Sequence, residues 1–92
     1  MKPEAAEAFA IGVLGWIAAD ETASGAFLGM SGASVDDLRS GAGDPAFLGF
    51  VLDYLLSDEA ALIACCEALN APPETALRAR QALPGGDAPF YT

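Results

Sequence analysis

Residues 47–59 read FLGFVLDYLLSDE, and residues 9–21, at an offset of 38 positions, read FAIGVLGWIAADE. The later stretch decides the fold class. Phe47, Leu48, Phe50, Val51, Leu52, Tyr54, Leu55 and Leu56 cover nearly the whole circumference of a helix, leaving Ala46, Gly49 and Asp53 as a thin small-or-polar stripe. A helix so apolar is expected at the centre of a helical domain. Asp44-Pro45 marks its start, an N-cap acceptor followed by proline at the first helical position, and the spacing predicts a helix from Pro45 to Leu56.

The same punctuation recurs outward from this segment. Pro3 suits the first turn of a helix over 3–19, with Phe9, Val13, Trp16 and Ile17 on one face and the small residues Ala8, Gly12, Gly15 and Ala19 on another. Each glycine costs a helix interior about 1 kcal/mol against alanine. Gly12 and Gly15 are therefore expected to serve a close contact, with the aromatics of the fourth helix or with a partner. Asp20 should cap a second helix that turns Ala26, Phe27 and Met30 inward and ends at Gly32. Ser34 and Asp37 form a capping-box pattern for a short third helix that stops in Gly41 and Gly43.

Beyond the central helix, Ser57 is expected to cap a fifth, with Asp58 and Glu59 in its first turn and Leu62, Ile63, Cys66 and Leu69 inward. Glu74 opens a sixth after Pro72-Pro73, with Leu77 inward and Arg78 and Arg80 near its C-terminal end. Residues 1–83 thus read as one helical domain and 84–92 as a Pro/Gly-rich tail, whose Phe90 and Tyr91 are candidates to dock on the core.

At the offset of 38, Phe9/Phe47, Val13/Val51, Leu14/Leu52, Asp20/Asp58 and Glu21/Glu59 are identical, and Trp16/Tyr54, Ile17/Leu55 and Ala19/Ser57 are similar. With one inserted residue the match continues through Met30/Leu69, Leu38/Leu77 and Arg39/Arg78. A duplicated three-helix unit would leave this pattern, and so would two unrelated helices that each end in a capped acidic turn. Both explanations predict an all-α fold, a compact bundle of five to six short helices in two three-helix halves. Two units are too few for an extended solenoid.

Composition narrows the function by exclusion. With 53% hydrophobic and 18% charged residues over 92 positions, a single packed domain is expected. Thirteen acidic residues against four basic ones give a net charge of -9, which repels nucleic acid phosphate and anionic lipid. The longest apolar run, residues 8–19, is 12 residues long and falls short of the roughly 20 a membrane span requires. Glu4 and Glu7 before it oppose the charge of a signal peptide. Cys65 and Cys66 are adjacent and no histidine is present, so zinc-ligand and Cys-x-x-Cys spacings are missing. Read as buried small apolar side chains, the two thiols suggest the cytoplasm.

Without histidine, Ser/His and Cys/His catalysis is excluded, and no phosphate-binding glycine loop precedes a lysine. The acidic pairs Asp20-Glu21, Asp36-Asp37 and Asp58-Glu59 all fall at predicted helix starts, where capping and the helix dipole account for them. No cofactor or metal is implied. Asp53 is the one charge in an apolar helix; rim-located it needs no partner, and buried it would require an arginine, for which Arg39 and Arg78 are the candidates.

The motifs WIAADE, GAFLGMSG, VDDLRS, GDPAFLGFVLDYLLSDE and ARQALPGG, in that order, resemble a small alphaproteobacterial family, domain of unknown function 3572. The resemblance spans most of the chain and implies a bacterial cytoplasmic protein, but it carries over no catalytic or binding residue. Three functions remain open. A non-enzymatic domain acting through protein contacts or as a homodimer is favoured by surplus apolar side chains, with Gly12, Gly15, Asp53, Arg39 and Arg78 as interface or ion-pair residues. An acidic regulator of a basic surface is the second, and a small-ligand binder or enzyme with a cleft near Asp53 is the third.

Overall fold

In the computed structural model, described for residues 1–32 and 34–83, the chain forms six helices: α1 (Pro3–Ala19), α2 (Glu21–Ser31), α3 (Val35–Gly41), α4 (Pro45–Ser57), α5 (Glu59–Ala68) and α6 (Glu74–Ala82). The expected docking of Phe90 and Tyr91 lies outside the described residues. Side-chain caps set most of the helix starts. Asp20 Oδ1 accepts from Ala23 N at 2.9 Å, and Asp44 Oδ1 accepts from Ala46 N at 3.0 Å. Ser34 and Asp37 close a reciprocal capping box. The start of α5 differs from expectation, because Asp58 rather than Ser57 is its cap: Asp58 Oδ1 accepts from Ala61 N. Ser57 ends α4 instead, its hydroxyl donating to the Tyr54 carbonyl at 2.7 Å.

α1, α4 and α6 pack against one another as the central layer, with α2 on α1, α5 on α4, and α3 held more sparsely on α4. Ala6, Ala10, Val13 and Ile17 of α1 meet a core that includes Leu48, Val51, Leu52 and Leu55 of α4, all essentially free of solvent. The molecule measures 29 × 26 × 24 Å, so the two halves close on each other rather than extend.

The halves repeat one structural unit in constant register. α1 ends at Ala19 and α4 at Ser57, α2 starts at Glu21 and α5 at Glu59, each pair 38 positions apart. The left-handed residues that follow α2 and α5, Gly32 (φ 72°) and Asn70 (φ 55°), are also 38 apart. Burial keeps the same register into the third helices, where Leu38 and Gly41 correspond to the buried Ala76 and Ala79. The starts of these helices, Val35 and Glu74, stand 39 apart, as the expected inserted residue requires, while their buried faces stay 38 apart. The expected pairing of Leu38 with Leu77 fails because Leu77 faces solvent.

Other inward expectations are also corrected. Met30 and Ile63, like Leu77, lie on exposed faces, since each short helix buries only a narrow stripe on the central layer. The aromatics of α4 do not fill the small stripe of α1. They receive Phe27 of α2, whose ring lies 5.4 Å from Tyr54, 5.7 Å from Phe50 and 6.0 Å from Phe47, edge-on to Tyr54 and Phe47.

Candidate functional site

The five residues singled out from sequence fall in four places. Gly12 faces Leu69, where an added methyl would stand 3.6 Å from its side chain, so the contact is side chain on backbone rather than helix on helix. Gly15 faces open space. Arg78 is exposed and borders a shallow hollow with Met1 and Gln81. Arg39 lies on α3 and borders the same groove as Gly15.

Asp53 binds neither Arg39 nor Arg78. Its partner is Arg80, whose Nε donates to Asp53 Oδ1 at 2.5 Å and whose Nη2 donates to Oδ2 at 3.1 Å. This two-pronged pair pins α6 to α4, with Asp53 at the rim, its side chain 32% exposed, and Arg80 buried. Sequence periodicity held the signal. Ala76, Ala79, Arg80 and Leu83 stand at i, i+3, i+4 and i+7 and form the buried face of α6, which marks Arg80 as the inward arginine and leaves Arg78 outside.

The register of the repeat makes the groove between α1 and α3 the counterpart of this sealed seam. α1 supplies Ile11, Leu14, Gly15 and Ala18 to it, and α3 with its C-cap supplies Leu38, Arg39 and Ala42. Gly15 occupies the position of Asp53, Ala42 that of Arg80, and Ile11 that of the buried Gly49. Small Gly49, Ala76 and Ala79 let α6 approach α4, whereas Ile11 and Leu38 keep α3 further from α1 and no ion pair among the described residues closes the gap. The result is an open apolar groove of about 420 Å³. Arg39 at its edge makes no ion pair among the described residues.

α3 leans instead on α4, through a contact only glycine allows. A methyl group at Gly41 would collide with the Phe47 ring. The outer face of α1 is uncharged from Ala8 through Ile11, Gly15 and Ala18, all exposed.

The cysteines lie inside the fold. Both are free and buried; burial, and then the neighbouring Cys66, push the Cys65 thiol up to about 11, while burial and then Glu74 raise Cys66. The thiolate that redox or nucleophilic chemistry needs is disfavoured. Among the described residues no three His, Cys, Asp or Glu side chains form a group that could hold a metal, and no helix is long and apolar enough to cross a membrane. Neither Asp53 nor Arg80 borders any of the four hollows described among these residues.

A family model, that of a protein of unknown function (DUF3572), matches residues 3–86, which include all six helices. The chain belongs to the DUF3572 family. No curated protein and no solved structure matches it. For this DUF3572 chain the functional reading therefore rests on its own surfaces, of which the α1/α3 groove unites two of the five expected residues, Gly15 and Arg39.

Proposed function

We propose that this DUF3572 chain is a non-enzymatic helical domain that works through protein contacts and receives one helix of a partner in the groove between α1 and α3. The supporting observation is the pair of equivalent seams within one molecule: the second is filled by its own α6, and the first stands open and apolar. Gly15, which costs α1 about 1 kcal/mol and where an added methyl would meet nothing among the described residues, leaves room there for a close helix–helix approach. The partner helix carries an apolar stripe and, beside it, a carboxylate to meet Arg39, as Asp53 meets Arg80 in the other half. A net charge of -9 makes a second copy of this chain the less favourable occupant. The free, buried thiols favour a cytoplasmic site of action.

The reading as an acidic regulator of a basic surface draws on the same charge, carried by exposed acids on five helices, among them Glu4, Glu21, Asp36, Glu59 and Glu74.

A photo-crosslinking residue at Ala18, with a control at Glu67 on the exposed side of α5, tests the proposal in native cells. The expected result is a protein adduct specific to position 18 that disappears with Gly15→Leu, which fills the groove, and weakens with Arg39→Glu. Equal adducts at both positions, or none at position 18, would refute it, and an adduct between two copies would replace the partner with a homodimer.

A further inference from the structure

The two halves also converge on a hollow of about 250 Å³ where the α1–α2 and α4–α5 junctions meet. Its ten lining residues form five pairs 38 positions apart, so it sits where the halves are related approximately by a two-fold. Trp16 and Tyr54 are one pair, Asp20 and Asp58 another. Ala23 and Ala26 line it from α2, and their counterparts Ala61 and Ala64 line it from α5.

Each aspartate uses Oδ1 as a helix cap and keeps Oδ2 without a hydrogen-bond partner among the described residues. Capping accounts for both acids but not for Tyr54. That residue is 4% exposed and packed edge-on against Phe27, and its hydroxyl makes no hydrogen bond among the described residues. No side-chain oxygen among them is both buried and unpartnered, so the Tyr54 hydroxyl keeps its access to solvent where the residue lines the hollow. Tyr54, Asp20 and Asp58 all line the hollow, and burial, then the negative charges of Asp58 and Asp20, raise the tyrosine's pKa.

We propose that this hollow binds a primary alkylammonium group. An ammonium carries three N–H donors, and the hollow offers three acceptors: Oδ2 of Asp20, Oδ2 of Asp58 and the Tyr54 hydroxyl oxygen. The alkyl arm lies along Trp16 and the alanine walls, which a hydrated metal ion would leave unused; a divalent cation also asks for about six oxygens. A quaternary ammonium has no N–H to donate. The group is supplied either by a free amine or by a lysine side chain of a partner protein, and this site is separate from the α1/α3 groove.

Trp16 is the only tryptophan in the chain and reports binding directly by its fluorescence. The full chain is titrated with n-pentylamine and, separately, with the blocked peptide acetyl-Gly-Lys-Gly-amide. The expected result is a saturable change, with the responding probe identifying the source, and no such change with tetramethylammonium or Mg²⁺. Tyr54→Phe weakens binding roughly tenfold, and the Asp20→Asn/Asp58→Asn pair, whose asparagines still cap their helices, roughly a hundredfold. The proposal is overturned if neither probe saturates, if Mg²⁺ or tetramethylammonium gives the same response, or if Tyr54→Phe and the double asparagine variant bind as well as the natural chain.

Discussion

The seam between α4 and α6 and the groove between α1 and α3 occupy the same place in the two halves, yet α6 is locked down and α3 is not. Three substitutions within the repeat accompany the difference: Gly49 against Ile11, Asp53 against Gly15, and Arg80 against Ala42. Small residues permit approach, and the carboxylate–guanidinium pair fixes it. The unit that carries both completes a core, while the unit that lacks both leaves an apolar groove beside its first helix.

The comparison breaks first at Arg80. Arg80→Ala removes the clamp and leaves the Asp53 carboxylate against an apolar seam, so urea unfolding should show a loss of about 3 kcal/mol, reduced from the range for a fully buried pair because Asp53 is at the rim. Replacing both partners together with leucine should cost much less than Arg80→Ala alone. On the other side, Gly41→Ala forces the Phe47 ring to move and should cost about 2 kcal/mol by the same measurement.

A third contrast lies at Cys65, which stands where Phe27 stands in the first half. Its thiol is held protonated to about 11 in the folded chain against an ordinary value near 9. Over that window the folded state binds more protons than the unfolded one, so the contribution is fully present below pH 9 and is lost as pH rises toward 11. Between those values the natural chain should lose about 2 kcal/mol of stability relative to its Cys65→Ala variant. The smallest effect has the opposite sign: Gly15→Ala, which meets nothing in the groove, should stabilise by about 0.5–1 kcal/mol in thermal or urea unfolding.

Much of this architecture was legible in the chain. Proline, aspartate and glycine punctuation located all six helices, because capping is a local matter of three or four residues. The repeat was visible too, although its register in the third helices was not, since Leu38 and Leu77 look alike in sequence and only packing distinguishes the buried one. Met30, Ile63 and Leu77 were misassigned for a related reason. On a helix of nine to eleven residues, two apolar faces compete and tertiary contacts choose between them. Of the candidate site, Gly15 and Arg39 were recognisable singly. Their shared groove depends on what α6 does in the other half, which no local pattern encodes.

Native-state hydrogen exchange tests the central contrast most directly, by comparing amides of α3 (Val35–Gly41) with those of α6 (Glu74–Ala82). With α6 sealed and α3 loosely held, α6 amides should exchange only through near-global unfolding, and α3 amides through openings at least about 2 kcal/mol less costly. Equal protection of the two helices would contradict the account.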